Sequence, residues 1–210
     1  MKYAVLSIVF SLGATALDPS CAPGGNFDLT KWQLQLPYGD NGVPKTISPD
    51  NLKGCGGFQD PGHHYFFTES GDGAMVMKTP GSPDQTGCLK TSGSQHCRTE
   101  FGELAHWSPT SGTNRLFADL LVKFGTEYQV QGGQGQDLQL IGTVPVGTRF
   151  TYEVRFEGGE LLARLNGDAF KTLKTYFTTP KAFFKAGNYN QDVQTTDVAD
   201  LHFFQLVITH

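Results

Sequence analysis

The clearest periodic pattern in the chain is Phe150–Leu165, which reads FTYEVRFEGGELLARL. Its first half alternates apolar residues (Phe150, Tyr152, Val154 and Phe156) with polar ones, as a half-buried β-strand does. A Glu-Gly-Gly-Glu sequence then marks a turn, after which apolar residues return at every second position. The stretch therefore predicts an antiparallel hairpin.

The composition favours the same class of structure over the whole chain. The 210 residues include 26 Gly, 11 Pro and 16 Phe, and no amphipathic pattern supports a helix longer than about three turns. We therefore predict an all-β protein of one domain. The net charge of −4 argues against nucleic acid as the main partner. An anionic ligand would need a local basic patch.

Residues 1–16 have the features of a secretory signal peptide. Lys2 supplies a positive start, Ala4–Phe10 is apolar, and Ala14-Thr15-Ala16 is a small-residue cleavage site. The apolar stretch is too short to span a bilayer, and no later segment has the length and hydropathy of a membrane helix. We predict a mature domain over residues 17–210 that is secreted and extracellular.

The mature part contains an even number of cysteines, Cys21, Cys55, Cys88 and Cys97. In an oxidising compartment this predicts two disulfides, for which three pairings are possible. We favour Cys88 with Cys97, which closes a short loop, and Cys21 with Cys55, which ties down the N-terminus. Zinc is a poor alternative because no pair has CxxC spacing.

The segment Phe183–Gln191, FFKAGNYNQ, places unusual residues on one face of a strand. Alternation puts Lys185, Gly187, Tyr189 and Gln191 on the same side as Phe183. The lysine supplies a positive charge, the tyrosine a phenol that can give or take a proton, and the glycine room for a ligand. This face suits a groove for an anionic polymer. The alternative is an ordinary polar strand that faces solvent.

A second informative segment is Cys97–Leu104, which reads CRTEFGEL. Arg98 and Glu100 share a face with Gly102, so the carboxylate can hold the guanidinium in a fixed direction. The alternative is a simple surface ion pair of little energetic value.

These two segments carry a resemblance to a known family. Residues 183–191 resemble the YFKAGxYNQ signature of the alginate-lyase family of polysaccharide lyases, with Phe183 in place of the first tyrosine. Residues 98–100 resemble the start of the family's R-T-E-L-R motif, and Trp32–Pro37 resembles its W-x-L-Q-L-P opening. The resemblance implies a β-jelly roll, a concanavalin-like sandwich of two antiparallel sheets.

The resemblance also implies cleavage of a polyuronate by β-elimination. The enzyme must neutralise the sugar carboxylate, remove the C5 proton and protonate the leaving oxygen on C4. In this chain Arg98 and Tyr189 would be the catalytic residues, with Tyr189 as the acid and as one candidate for the base. Glu100, Lys185 and Gln191 would bind substrate, with Glu100 orienting Arg98.

Two departures from the family pattern affect this prediction. Gly102 stands where the second arginine is expected, and no Gln-x-His motif occurs between Glu103 and Lys185, where His106 is the only histidine. The region 115–147 is also shorter than the family implies, as if one or two strands were omitted. Three explanations stay open: a missing exon, a relative that has lost turnover, or a histidine elsewhere, such as His64 or His106. A tyrosine that serves as both base and acid is a further possibility.

Two other functions remain as alternatives. One is a carbohydrate-binding relative that keeps the polyuronate groove but has no turnover. Both the glycine at position 102 and the absence of the Gln-x-His motif favour this alternative. A jelly-roll glycoside hydrolase needs two carboxylates across one bond, but Glu100 and Glu103 have opposite parity on one strand. We expect an anionic polysaccharide as partner, no nucleic acid or membrane, a monomer, and neither a cofactor nor a metal, because no ligand cluster is evident.

Overall fold

A computed structural model describes residues 16–123, 127–132, 139–175 and 181–210, and it is built mainly of β-strands. The strands are β1 (Trp32–Gln35), β2 (Thr46–Ile47), β3 (Phe66–Thr68), β4 (Met75–Pro80), β5 (Arg98–Glu103), β6 (Thr113–Val122), β7 (Glu127–Gly132), β8 (Gln139–Pro145), β9 (Arg149–Glu157), β10 (Glu160–Leu165), β11 (Lys171–Leu173), β12 (Lys185–Tyr189) and β13 (Val198–Thr209). Three single-turn helices are α1 (Pro23–Asn26), α2 (Pro49–Leu52) and α3 (Pro83–Thr86).

The strands form two large antiparallel sheets and a separate hairpin. The smaller of the large sheets has the order β12-β5-β1-β2, and the larger has the order β11-β10-β9-β6-β13-β4-β3, while β7 pairs with β8. The hairpin predicted from Phe150–Leu165 is β9 and β10, paired in register from Glu157 and Glu160 onward. The predicted all-β sandwich of two antiparallel sheets is confirmed.

The core lies between the two large sheets and contains the apolar positions of their alternating strands. Trp32 and Phe101 from the smaller sheet are almost fully buried, and the Phe101 ring meets the edge of Phe66 from β3 at 5.7 Å between centroids. Alternation in β5 is strict, because Thr99, Phe101 and Glu103 are buried while the residues between them are partly exposed. This burial fixes which side chains of β5 reach the outer surface.

Glu103 belongs to the interior rather than to the outer surface. The residue is 4% exposed. Its carboxylate accepts hydrogen bonds of 2.9 Å from the Trp107 indole and from the Phe184 amide. The His210 ring lies 2.5 Å from its other oxygen. Glu103 and Glu100 therefore lie on opposite faces of the sheet and cannot flank one glycosidic bond. This excludes a glycoside hydrolase that uses these two carboxylates.

The outer face of the larger sheet carries a closed ionic cluster. The buried Glu153 carboxylate accepts hydrogen bonds of 2.6 Å from both Arg115 and Arg155, and of 2.7 and 3.0 Å from Arg164. Burial alone would raise the pKa of Glu153, but the hydrogen bonds from the three arginines outweigh it and lower the pKa to about 2.

Both expected disulfides are present, Cys21–Cys55 and Cys88–Cys97. None of the helices in the described residues is long and apolar enough to cross a membrane. The predicted signal peptide lies outside the described residues except for Ala16, so the cleavage site and the start of the mature domain stay predictions.

Two local predictions before the core strands are wrong. The many Gly, Pro, Asp and Asn residues of segment 38–62 predict a loop, but the segment contains β2 and α2. The sequence His63–Phe67 predicts a strand that starts at His63, with one of the adjacent histidines packed and the other exposed. The strand instead starts at Phe66, because the Asp60 carboxylate accepts backbone hydrogen bonds from His64, Tyr65 and Phe66 and holds a turn. Both histidines are exposed in that turn.

Candidate active site

The candidate site lies on the outer face of the smaller sheet, where β5 and β12 pair. In the antiparallel register Tyr189 is opposite Arg98, Gly187 is opposite Glu100, and Lys185 is opposite Gly102. Because side chains alternate along each strand, these six residues share one face. The alternation seen in the sequence predicts both strand faces, and the register brings the two faces together.

Glu100 is the acceptor that links the two cations of the site. Its Oε2 atom lies 3.3 Å from Arg98 Nη1 and 2.9 Å from Lys185 Nζ. The Arg98 and Glu100 side chains are each 16% exposed, whereas that of Lys185 is 45% exposed. The arginine is thus held in place, and the lysine reaches into solvent beside it.

Arg98 has hydrogen-bonding capacity that its neighbours leave unused. Its Nε atom is buried and has no hydrogen-bond partner among the described residues. A buried N–H donor without an acceptor is costly unless a ligand supplies the acceptor. The guanidinium carbon also lies 4.6 Å from the centre of the Tyr189 ring, so cation and phenol are in direct contact.

The phenol of Tyr189 is held by residues that the sequence reasoning did not single out. Its hydroxyl lies 2.8 Å from Ser94 Oγ, and its ring meets the His96 ring at 5.1 Å in an edge-to-face arrangement. Ser94 and His96 belong to the loop that the Cys88–Cys97 disulfide closes. Both lie before β5 begins at Arg98, outside the alternating strand, so no pattern in the sequence points to them.

The floor of the site continues across the neighbouring strands. Gln33 and Gln35 of β1 are opposite Gly102 and Glu100, and with Thr46 and Lys185 they line a shallow groove of about 160 Å³. A Cβ atom at Gly102 would meet no atom within 4 Å. The missing arginine therefore leaves open space on the groove surface.

Gln191 follows the end of β12 and is exposed. Together with Gly187 and Tyr189 it lines a second cleft of about 370 Å³. A polymer lying across β12 would pass from the groove over Glu100 and Gly102 toward this cleft. Four of the five predicted site residues, Arg98, Glu100, Lys185 and Tyr189, are linked by direct contacts, and Gln191 shares the second cleft with Tyr189.

The two histidines suggested as substitutes for the missing motif lie elsewhere. His106 contacts Phe183 in a tilted ring pair at 5.2 Å. Phe183 precedes Lys185, at the other end of β12 from Tyr189. His64 is in the turn before β3, where it contacts Tyr65 and lines a pocket with Lys78 and Asp200. Neither belongs to the group around Tyr189, so both suggestions are wrong.

The second tyrosine near β12, Tyr152, differs from Tyr189 in its surroundings. It lines the apolar space behind Lys185 and Gly187, and burial raises its pKa to about 12. Tyr189 is therefore the better candidate for proton transfer. Within the described ranges, no group of three or more His, Cys, Asp or Glu side chains is placed to hold a metal ion.

Comparison with known protein families supports the resemblance noted from the motifs. The family model described as alginate lyase matches residues 27–134 and 121–210. The two matched segments overlap at residues 121–134, inside the region 115–147. A search of curated proteins finds no match.

Solved structures of alginate lyases share the fold. The crystal structure of alginate lyase A1-II′, a member of polysaccharide lyase family 7, is 24% identical with a TM-score of 0.72, over 90% of this chain and 98% of that one. The alginate lyase from Corynebacterium sp. is 20% identical with a TM-score of 0.70, over 91% and 99% of the two chains. The alginate lyase from Klebsiella pneumoniae is 19% identical with a TM-score of 0.70, over 90% and 98%. Identities this low show the β-jelly-roll fold alone, whereas the family model covers nearly the whole described chain. The chain therefore belongs to the alginate lyase family of polysaccharide lyases.

Proposed function

We propose that the protein is a secreted polysaccharide lyase that cleaves alginate or a related polyuronate by β-elimination. The observation that carries this proposal is the contact of Arg98 with Tyr189 on the outer face of β5 and β12. The Arg98 side chain makes one hydrogen bond, from Nη1 to Glu100, among the described residues. A uronate carboxylate is an acceptor for the guanidinium donors that remain. The signal-like N-terminus and the two disulfides support secretion.

The reaction needs the sugar carboxylate to lose its charge before the C5 proton becomes acidic enough to remove. Arg98 would donate hydrogen bonds to that carboxylate and stabilise the enolate-like state. Glu100 holds Arg98 and Lys185 together, so that both cations face the same part of the polymer. Lys185 and Gln191 would bind neighbouring sugar units.

Tyr189 would protonate the oxygen that leaves C4 as the C4–O bond breaks and the C4=C5 double bond forms. Its phenol sits against the guanidinium, so carboxylate and leaving oxygen of one sugar unit would lie within reach of both residues. Structures of alginate lyase A1-II′ hold a product designated GGG and a substrate designated GGMG, which supports an oligo-uronate as the ligand here.

The test is to mix the purified protein with a panel of polyuronates and to follow ultraviolet absorbance from unsaturated uronate ends. We expect absorbance to rise with at least one of them and to stay flat with Tyr189→Phe. The matched control is Tyr152→Phe, which removes a hydroxyl outside the groove and should leave turnover unchanged. A folded wild-type protein that produces no absorbance change with any polyuronate would refute the enzymatic function.

The second candidate is a carbohydrate-binding protein without turnover. The open space at Gly102 favours it, because one cation of the family pattern is absent from the groove. Retardation on a polyuronate gel without any unsaturated product would identify this function and exclude the first.

A further inference from the structure

We propose that His96 is the base that removes the C5 proton, and that Ser94 is a positioning residue for the Tyr189 phenol. The loop closed by the Cys88–Cys97 disulfide is then part of the active site. This inference rests on the proposed lyase function, and it names a source for the proton acceptor that the absent Gln-x-His motif leaves open.

The position of His96 distinguishes it from the other histidines. All six histidines of the chain lie in the described residues, and His96 is the one whose ring contacts Tyr189. Its Nδ1 atom is buried and without a hydrogen-bond partner among the described residues. The buried Nδ1 is out of reach of a ligand, whereas Nε2 is not among the buried unpaired atoms and has no hydrogen-bond partner among the described residues. Nε2 is therefore the ring nitrogen that can accept a proton from a ligand.

The other buried or paired histidines have structural surroundings. His210 is bound between Asn114 and Glu103. His202 is 1% exposed and lies 3.0 Å from Asp200. Neither faces the groove over β5 and β12, and neither contacts Tyr189.

The hydrogen bonds of Ser94 set the direction of the Tyr189 proton. Ser94 Oγ accepts from the His96 amide at 3.1 Å and can donate its single hydrogen to the His96 carbonyl at 3.0 Å. With that hydrogen used, the Tyr189 hydroxyl is the donor in its hydrogen bond to Ser94 Oγ. Once Tyr189 has given up its proton, the Ser94 hydroxyl can turn and donate to the phenolate.

The loop is anchored at both ends, which keeps these two residues in place. The disulfide joins its ends, Leu89 donates a backbone hydrogen bond of 2.6 Å to Pro37, and Asn190, next to Tyr189, donates one of 3.3 Å to Cys97. The last of these ties the loop to the strand that carries the phenol. The position of His96 against Tyr189 is thus a property of the fold.

The proposed step balances without any further reactant. A nitrogen of His96 takes the C5 proton, the electron pair forms the C4=C5 double bond, and the C4–O bond breaks. Tyr189 gives its proton to the departing oxygen. Return of the proton from the imidazolium to the phenolate, directly or through water, restores both groups for the next turnover.

The experiment compares His96→Asn with His106→Asn, since both remove an imidazole but only His96 contacts Tyr189. We expect kcat on polyuronate to fall roughly 10²- to 10⁴-fold in H96N, with KM little changed, and to be partly restored by added imidazole. H106N should keep the wild-type kcat. Ser94→Ala should lower kcat by roughly two- to tenfold, the effect of losing one hydrogen bond.

Thermal unfolding of each variant separates a loss of base from a loss of fold. Normal turnover in H96N would overturn the assignment and leave Tyr189 as both base and acid. A loss in H96N that imidazole does not restore would also overturn it, since only a missing proton acceptor can be replaced from solution. Wild-type protein that binds polyuronate without forming product would instead refute the lyase function itself.

Discussion

Two clusters of arginine and glutamate lie on the outer faces of opposite sheets, and they differ in how completely their hydrogen bonds are used. Glu153 is 2% exposed and is surrounded by three guanidinium groups. Two of these, Arg155 and Arg164, also lie over the Phe170 ring at 4.6 and 4.4 Å. Each group in this cluster has partners within the protein.

The cluster around Glu100 is open by comparison. One carboxylate serves Arg98 and the exposed Lys185, and the Arg98 Nε donor has no partner in the described part of the chain. The same residue types therefore serve two purposes. A closed network stabilises the fold, while an open one keeps a fixed donor available to a ligand.

The largest expected contrast is in turnover. Arg98→Gln should lower kcat on polyuronate about 10²- to 10³-fold, because it removes the donor for the substrate carboxylate. The matched variant Arg155→Gln removes an arginine from the closed cluster and should leave kcat unchanged. Initial rates of unsaturated-product formation measure both, and equal losses in the two variants would abolish the distinction between the clusters.

The contrast should reverse for stability. Lowering the pKa of Glu153 from 4.5 to about 2 corresponds to about 3 kcal/mol of stabilisation at neutral pH. Glu153→Gln should lower the free energy of unfolding by about that amount, whereas Glu100→Gln should lower it by less than about 1 kcal/mol. Urea denaturation provides both values. A larger loss in E100Q than in E153Q would contradict the structural role of the closed cluster.

The closed cluster should also make the free energy of unfolding depend on pH in the acidic range. Because the folded pKa of Glu153 is depressed, its stabilisation is complete above its ordinary pKa of 4.5 and is lost as the pH falls toward about 2. The free energy of unfolding should therefore decline over that range, and the decline should be shallower in E153Q. Parallel slopes for wild type and E153Q across this range would show that Glu153 is not the group responsible.

The smallest effect should come from adding a charge to the open cluster. Gly102 has free space above it, so Gly102→Arg should place a further cation in the groove and lower KM by roughly two- to fivefold at low salt. Thr172→Arg, an exposed position on β11, adds the same charge to the other sheet and should leave KM unchanged. Equal changes in both variants would indicate a general effect of net charge.

Alternation along single strands accounts for the part of the site that the sequence predicts. The faces of β5 and β12 follow from period-two patterns, whereas the meeting of Arg98, Glu100, Lys185 and Tyr189 depends on the pairing of the two strands. The hairpin of β9 and β10 is equally local. Both disulfide pairs are also as favoured from the spacing of the cysteines.

What the sequence does not predict depends on contacts between distant segments. The Asp60 carboxylate accepts hydrogen bonds from three backbone amides. These bonds hold a turn at His63 and His64, where the sequence pattern predicts a strand. The approach of Ser94 and His96 to Tyr189 spans more than ninety residues of chain and follows from the pairing of β12 with β5. No local pattern contains that pairing.

The most direct test of the open cluster as the active site is a crystal structure of Tyr189→Phe with a bound polyuronate oligosaccharide. We predict that one uronate carboxylate accepts hydrogen bonds from the Arg98 guanidinium, with the C4 oxygen of that unit beside residue 189. An oligosaccharide bound instead to the arginines around Glu153, or one whose carboxylates do not contact Arg98, would contradict this assignment.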